Sequence, residues 1–428
     1  MTKSIKLCII GGGSSYTPEL IQGVIDFRDE LHIDELALMD IDEGKLAVVG
    51  GLASRMMEAA GLKTQVKLYD GRLEAIKGAQ FVISQIRVGG LDARIRDEKI
   101  PMEFGLLGQE TTGPGGFANA LRTIPVALLI AEDMRKVAPD AFLINFTNPS
   151  GIITEALVKY GRVRTIGLCN VPFNMKEMIA GWLGVTAEEV TMDYVGLNHL
   201  SWVRRVFVAG KDVTQDAIGR AVEAWKRSEG HGFDPSLLEL LGMIPSSYLR
   251  YYYDTPGAIA EVKAAGETRG EAVKKLEPWL MKLYSDPDLK QAPAELSKRG
   301  GRNYSKVAIS LISSIANCKD EVHIVNTVNL GAIPDLPVEA VVEVPSVISG
   351  DGAHPLVTRP LEPEIRGLTQ AVKAYEELTV EAGVTGDRNL ALKALLSHPL
   401  VPSYRVAKEL LERLLEANRA FLPKFFAD

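Results

Sequence analysis

Three consecutive glycines, Gly11, Gly12 and Gly13, lie between an apolar run over residues 6–10 and a helical pattern that starts at Thr17. Backbone N–H groups in such a turn can face an anion at the positive end of the following helix. Asp40 ends the next apolar run, where a carboxylate accepts hydrogen bonds from a ribose diol and disfavours an added ribose phosphate. This order of strand, glycine turn, helix, strand and acid predicts a binding site for NAD.

The glycine turn departs from the G-x-G-x-x-G pattern, because Tyr16 holds the place of the third glycine. A tight turn that binds no ligand is therefore the alternative to dinucleotide binding. The complete order of elements around the turn favours the dinucleotide.

Cys169 follows an apolar run and has two interpretations: a small buried residue, or a thiolate ligand of a metal. His199, within Gly-Leu-Asn-His, could supply an imidazole ligand. Their separation of 30 residues matches no local metal motif, so spacing alone leaves the metal site open. The other histidines lack such a context and are interpreted as structural or exposed: His32, His231, His323, His354 and His398.

Four tyrosines occur within six positions, Tyr248 and residues 251–253. On a helix, Tyr248 and Tyr252 share a face and Tyr251 adjoins Tyr248. An aromatic packing face is the ordinary interpretation of such a cluster. A tyrosine beside a metal or a cationic cofactor could instead ionise and act as a base.

Short apolar runs alternate with helical patterns in the first half of the chain, which indicates a parallel sheet covered on both faces. The runs span residues 6–10, 35–39, 81–86, 141–146 and 164–168. Each strand of such a sheet delivers its C-terminal residues to one edge, where doubly wound folds bind ligands.

The pattern changes near residue 192, and helices then dominate apart from strands predicted over residues 321–328 and 338–348. Residues 360–422 predict three helices. The predicted architecture is a Rossmann-type NAD-binding domain over residues 1–190, followed by a mixed α/β domain over residues 191–428.

Composition excludes several classes of protein. The 428 residues are 46% hydrophobic and 24% charged, which is typical of globular proteins. A net charge of −7 argues against nucleic acids and anionic membranes as partners. Three scattered cysteines form no disulfide framework, and neither a signal peptide nor a run of about eighteen apolar residues is present. These features predict a soluble cytoplasmic protein.

Taken together and in order, the motifs resemble those of glycoside hydrolase family 4, in its branch that acts on 6-phospho-β-glucosides. The resemblance covers nearly the whole chain. Its motifs lie at residues 9–20, 40–42, 108–116, 145–149, 167–172, 196–199, 248–252, 267–269 and 322–328.

The resemblance implies a lactate/malate-dehydrogenase-type Rossmann domain joined to a second α/β domain, with NAD and a divalent metal, usually manganese, as cofactors. It implies that Cys169 and His199 bind the metal and that Tyr248 is the base. Glu110 matches an acid that raises the basicity of that tyrosine. The implied substrate-binding residues are Arg94, Asn148 and Arg269, and the implied NAD-binding residues are Gly11, Gly12, Gly13, Ser14, Ser15, Tyr16, Thr17 and Asp40.

The implied reaction begins when NAD⁺ takes hydride from C3 of the sugar, which makes the C2 hydrogen acidic. Tyr248 then removes the C2 proton, the C1 substituent leaves, water adds at C1, and hydride returns to C3. Asn170 follows the implied metal-binding cysteine where members acting on α-linked substrates carry an aspartate, which fits the β branch. The expected substrate is a phosphorylated disaccharide or aryl glycoside, and the expected assembly is a homodimer or homotetramer.

Two other functions remain as alternatives. A plain dehydrogenase of hydroxy acids or sugar acids would need only the Rossmann half, and it would accumulate NADH with turnover. A sensor that binds NAD or a sugar phosphate without catalysis would bind but not turn over.

Overall fold

The computed structural model describes residues 5–227, 234–300 and 303–427, so His231 lies outside the described residues. The first six strands are β1 (Ile5–Ile10), β2 (Ile33–Met39), β3 (Gln65–Tyr69), β4 (Phe81–Ser84), β5 (Phe142–Asn145) and β6 (Arg164–Gly167). The helices among and after them are α1 (Thr17–Asp26), α2 (Glu43–Ala59), α3 (Arg72–Ile76), α4 (Gly90–Glu103), α5 (Gly113–Val137), α6 (Ser150–Ala156) and α7 (Val171–Leu183).

Strands and helices are mixed in the second half of the chain. Its strands are β7 (Val190–Leu197), β8 (Leu200–Val208), β9 (Lys211–Asp212), β10 (Ile244–Pro245), β11 (Glu321–Val328), β12 (Val341–Ser349) and β13 (Gly352–Pro355). Its helices are α8 (Thr214–Arg227), α9 (Pro235–Leu241), α10 (Arg250–Tyr253), α11 (Thr255–Ala264), α12 (Arg269–Tyr284), α13 (Tyr304–Asn317), α14 (Pro363–Thr385), α15 (Arg388–Ser397) and α16 (Tyr404–Ala417).

Six parallel strands form one side of a nine-stranded sheet, from its edge inward in the order β3-β2-β1-β4-β5-β6. This is the doubly wound order of dinucleotide-binding folds, as the sequence predicted. The strand ends are in register: Ile10 pairs with Met39 and Ser84, and Ser84 pairs with Asn145. The polar residues that follow these strands therefore reach one edge of the sheet.

The edge strand β3 is the one parallel strand that the apolar runs did not predict. Its residues are exposed or half-buried, and β3 lies at the edge of the sheet with a neighbouring strand on one side only. An edge strand with a solvated face has no continuous apolar run to reveal it.

The second half of the chain extends the same sheet. Strand β11 pairs antiparallel with β6 at Asn326 and Gly167, and β12 and β13 continue outward. Strands β7, β8 and β10 form a separate antiparallel sheet, with β9 beside β8. The sheet therefore continues past residue 190, and the two-domain division at that residue stays a prediction.

Helix α5 is a core helix. Among the described residues it alone is long and apolar enough, by length and composition, to cross a membrane, but 78% of its apolar window is buried inside the fold. It packs against α4, α6 and α14. The three predicted C-terminal helices are present as α14, α15 and α16.

Candidate active site

A cavity of about 1360 Å³ lies at the carboxyl edge of the parallel strands. Its wall contains eleven of the sixteen predicted site residues: Gly11, Gly13, Ser14, Tyr16, Asp40, Arg94, Glu110, Asn148, Asn170, Tyr248 and Arg269. The remaining five, Gly12, Ser15, Thr17, Cys169 and His199, do not line the cavity. One space thus joins the predicted dinucleotide edge to the predicted catalytic residues.

The glycine turn packs tightly against two strands. Gly11 has φ +89°, and a Cβ there would lie 2.8 Å from the carbonyl oxygen of Gln85. A Cβ on Gly12 would lie 2.9 Å from the Leu38 Cβ. The Gly13 N–H donates to the Asp40 Oδ2 at 2.9 Å, which fixes this carboxylate at the end of β2. The turn, the start of α1 and Asp40 therefore form an arrangement that fits a dinucleotide.

Two of the predicted NAD-binding side chains support the turn from behind. Thr17 is buried, and its hydroxyl accepts a hydrogen bond from Gln85 Nε2 at 2.7 Å. Ser15 is also buried, and its Oγ accepts from Arg299 Nε at 2.7 Å. Tyr16 lines the cavity beneath the Arg299 guanidinium, which lies 5.4 Å from the ring centroid.

Cys169 and His199 converge on each other although 30 residues separate them. The Cys169 Sγ and the His199 Nε2 are 3.4 Å apart and both side chains are buried. Burial lowers the pKa of His199 to about 4, so the imidazole is neutral and its nitrogen can bind a metal at neutral pH. Burial also raises the pKa of the Cys169 thiol, so ionisation of this sulfur requires a nearby cation.

The thiol and the imidazole are close enough to bind one divalent ion. The described residues contain no group of three His, Cys, Asp or Glu side chains that could hold a metal. Two protein ligands would leave the other coordination positions open for substrate or water, as a catalytic metal requires. The pair therefore fits a catalytic metal better than a structural one.

Tyr248 separates the thiol–imidazole pair from the cavity. Its ring stacks on the His199 ring with centroids 4.0 Å apart and an interplanar angle of 12°. Burial raises the pKa of Tyr248, and the phenols and acids around it, Tyr251 first among them, raise it further. The phenol therefore holds its proton until positive charge enters the site.

The other tyrosines of the cluster have different surroundings. Tyr251 lines the cavity and meets Tyr248 edge to face, with ring centroids 5.7 Å apart. Tyr252 packs in the core with its ring 6.0 Å from that of His398, and the Tyr253 hydroxyl accepts from Trp202 Nε1 at 3.3 Å. The packing interpretation thus holds for Tyr252 and Tyr253, whereas Tyr248 and Tyr251 face the cavity.

Glu110 is held between two arginines. It forms ion pairs with Arg87 and with Arg94, the latter at 3.0 Å. Burial alone would raise the pKa of Glu110, but Arg87 and Arg94 hold it at about 2. Arg94 also donates to Glu98 at 2.8 Å. Two acids, Glu98 and Glu110, therefore hold the Arg94 guanidinium in place.

The remaining predicted residues surround the same space. Asn148 is half-buried, and its carbonyl oxygen accepts from Asn119 Nδ2 at 3.0 Å. Asn170 precedes α7, beside Cys169. Arg269 begins α12 at the exposed rim, where its Nη2 donates to the Lys298 carbonyl oxygen at 2.8 Å.

Arg299 also lines the cavity, and no motif or strand end in the sequence points to it. Burial lowers its pKa to about 10, so the guanidinium is still cationic at neutral pH. No carboxylate among the described residues forms an ion pair with it within 4 Å. Arg87, also unassigned, directly follows the apolar run over residues 81–86 that predicted β4, so its position after a predicted strand could have identified it.

The comparisons with known proteins agree with this site. A sequence model of family 4 glycosyl hydrolases matches residues 6–185, and a model of the C-terminal domain of the same family matches residues 194–401. The chain belongs to glycosyl hydrolase family 4. The predicted family is thus confirmed, and the chain is a glycosidase.

Relatives of the family cover the whole chain. A probable 6-phospho-beta-glucosidase of Bacillus subtilis (strain 168) is 46% identical, over 100% of this chain and 99% of its own length. The structure of a 6-phospho-beta glucosidase from Thermotoga maritima with manganese, NAD⁺ and glucose-6-phosphate has a TM-score of 0.92 at 40% identity. It covers 98% of this chain and 99% of the solved chain.

A more distant structure confirms the predicted type of fold. Malate dehydrogenase of Cryptosporidium parvum is 15% identical and has a TM-score of 0.52, over 92% of this chain and 99% of the solved chain. At this identity the likeness shows the fold alone.

Proposed function

We propose that this family 4 enzyme is a 6-phospho-β-glucosidase that uses NAD and a divalent metal to cleave 6-phospho-β-glucosides such as cellobiose 6-phosphate. The proposed metal is Mn²⁺, because similar solved structures contain manganese. One observation carries the proposal: the Cys169–His199 pair lies directly behind Tyr248, and Tyr248 lines the same cavity as the glycine turn and Asp40. The high identity to 6-phospho-β-glucosidases supports the choice of substrate.

Cationic side chains in the cavity favour an anionic sugar. Arg94, Arg269 and Arg299 line it, and guanidinium groups bind phosphate through paired hydrogen bonds. Arg94 and Arg269 come from neighbouring helices, since Glu98 on α4 accepts from the Gly270 N–H at 2.7 Å. Asn148 provides neutral hydrogen-bonding groups for sugar hydroxyls.

NAD, held by the glycine turn and Asp40, supplies a hydride acceptor and donor, and the metal, held by Cys169 and His199, supplies a Lewis acid. Tyr248 is the proposed base that takes the C2 proton of the sugar onto its phenolic oxygen. The ring stack on His199 holds that oxygen in position. Glu110 is ionised between Arg87 and Arg94, and its negative charge opposes proton loss from the Tyr248 phenol. The phenolate, once formed, is therefore a stronger base.

Asn170 lines the cavity beside Cys169 and has no acidic proton to give a leaving group. A β-linked aglycone therefore obtains its proton from water or from another residue. Good leaving groups, such as nitrophenol, need no such proton, and we expect them to react fastest.

The test is hydrolysis of p-nitrophenyl 6-phospho-β-glucoside by the purified chain. We expect release of nitrophenol only with Mn²⁺ and NAD⁺, no release from the non-phosphorylated glucoside, and no accumulation of NADH. Activity that persists after removal of both cofactors would overturn the proposal. Accumulation of NADH in proportion to turnover would instead favour the dehydrogenase.

We also propose a cytoplasmic location and a homodimeric or homotetrameric assembly. Buried free thiols at Cys8 and Cys169 suit a reducing compartment. No nucleic acid or membrane partner is proposed.

A further inference from the structure

We propose that Glu343, on β12, is a positioning residue of the metal site, whose buried carboxylate provides the counter-charge to a divalent ion bound by Cys169 and His199. The inference rests on the metal site of the proposed function. It assigns a role to a residue that neither the motifs nor the cavity wall contains.

Glu343 is wholly buried and is held by three uncharged hydrogen-bond donors. Its Oε1 accepts from Asn198 Nδ2 at 3.1 Å and from Asn326 Nδ2 at 3.0 Å. Its Oε2 accepts from the Tyr194 hydroxyl at 2.5 Å. These contacts join three strands, β7, β11 and β12, and the turn that carries Asn198.

The other acids buried to this degree in the described part of the chain all have cationic partners. Asp97 pairs with Arg122, Glu98 with Arg94, and both Glu155 and Glu376 with Lys373. Within the described ranges no Lys, Arg or His side chain forms an ion pair with Glu343. Burial raises the pKa of the Glu343 carboxyl, and an unpaired buried charge is costly, so a nearby cation would stabilise its ionised form.

The Asn198 side chain leads from Glu343 to the metal-binding pair. Its amide donates to Glu343 and also forms a hydrogen bond with the Cys169 sulfur. Its Oδ1 accepts from the Gly151 N–H at 3.3 Å. Asn198 directly precedes His199, whose backbone has φ +64°, so these bonds hold the strained turn that presents the imidazole.

The carboxylate that lacks a cation is therefore joined to the metal-binding pair through one side chain, that of Asn198. A divalent ion bound by one thiolate and one neutral imidazole keeps one unit of positive charge. The carboxylate of Glu343 balances that unit without being a ligand, and groups of this kind around a metal strengthen its binding.

Glu343→Gln tests the charge separately from the hydrogen bonds. A glutamine can accept from Asn198 and Asn326 through its oxygen and can donate through its amide to the Tyr194 oxygen. Tyr194 then donates to Ser201 Oγ, which already lies 2.6 Å away. Each of the three hydrogen bonds of Glu343 thus keeps a partner in the variant, and the charge is lost.

The experiment measures Mn²⁺ affinity of the full-length chain, stripped of metal, by isothermal titration calorimetry. We expect Glu343→Gln to raise the Kd for Mn²⁺ by about 10- to 100-fold. The free energy of unfolding of the metal-free variant should equal or exceed that of the wild type, since a buried carboxyl without a cationic partner has been replaced by a neutral amide that keeps its hydrogen bonds. A purely structural role predicts an unchanged Kd for Mn²⁺ and a lower free energy of unfolding. This pair of results would overturn the inference.

Two further variants complete the test. Ser201→Ala removes a polar atom from the same network but leaves the three bonds of Glu343, so its Mn²⁺ affinity should match the wild type. Cys169→Ser should lose Mn²⁺ binding. If Cys169→Ser loses binding but Glu343→Gln stays within about twofold of the wild type, the inference fails and the proposed metal site stands. If the wild-type chain does not bind Mn²⁺, both fail.

Discussion

The hydroxyl of Tyr248 can be removed without disturbing the ring that stacks on His199. We expect Tyr248→Phe to lower kcat by about 10²- to 10⁴-fold, because a general base contributes an amount of this order. Affinities for Mn²⁺ and NAD⁺ should stay unchanged, because the ring still covers the imidazole. Steady-state kinetics and calorimetry measure the two quantities.

Tyr251→Phe is the matched control, because Tyr251 lines the same cavity and meets Tyr248 edge to face. Its kcat should fall much less than that of Tyr248→Phe. Full activity of Tyr248→Phe would contradict the proposed role and would make Tyr251 the next candidate for the base.

At the scale of single residues, the sequence could predict those that end strands or stand in motifs. Asp40, Asn148 and Asn170 follow predicted strands, and each reaches the cavity. Arg299 and Glu343 carried no local signal. Their partners, Ser15 and Tyr194, lie 284 and 149 residues away in the chain, so only the folded structure shows these contacts.

Helix α4, which carries Arg94, is joined to α5 by a buried ion pair. Arg122 on α5 donates to Asp97 on α4 at 2.7 and 2.5 Å, and both side chains are buried. We expect Arg122→Met to lower the free energy of unfolding by about 3–5 kcal/mol, since Asp97 would remain as an unpaired buried charge. Urea denaturation measures the difference.

Lys136→Met, also on α5, is the control for Arg122→Met. Its pair with Glu132 is exposed, so its loss should change stability by less than about 1 kcal/mol. A similarly small effect of Arg122→Met would show that the buried pair does not hold α4 in place.

His398, which follows α15, contributes a pH dependence of stability. It lies against Tyr252 and Tyr375, and its Nδ1 accepts from the Leu400 N–H at 3.1 Å. Burial lowers its pKa from 6.5 to about 3. Between these pH values the unfolded chain binds a proton at His398 and the folded chain does not. The contribution of His398 to the free energy of unfolding is therefore fully present above pH 6.5 and is lost as the pH falls toward 3.

His398→Asn keeps an acceptor for the Leu400 N–H but does not titrate. We expect the slope of unfolding free energy against pH, between pH 4 and 6, to be smaller in the variant by up to about 1.4 kcal/mol per pH unit. Equal slopes in the two proteins would contradict the buried neutral state of His398.

At the scale of elements, the periodic pattern predicted the central strands and the three C-terminal helices to within a few residues. The apolar runs identified strands that are buried on both faces. They did not identify β3, whose outer side is solvated, and they did not predict that β11 would pair with β6. That pairing depends on contacts between distant parts of the chain.

At the scale of the whole molecule, an exposed apolar surface bears on the predicted oligomer. Leu330, Val338 and Val357 are 70%, 61% and 79% exposed. The Leu330 N–H donates to the Val338 carbonyl oxygen at 2.9 Å, so these two residues are neighbours. We expect light scattering to give a mass of at least twice 46.6 kDa. A monomeric mass would contradict the predicted assembly.

In the proposed reaction, the enzyme removes the hydrogen at C2 of the sugar before the glycosidic bond breaks. A glycosidase with two catalytic carboxylates never touches this hydrogen. The direct measurement is hydrolysis of a 6-phospho-β-glucoside in deuterated water, with NMR of the glucose 6-phosphate formed. We expect deuterium at C2 of the product. Hydrolysis that leaves the original hydrogen at C2 would contradict the proposed reaction.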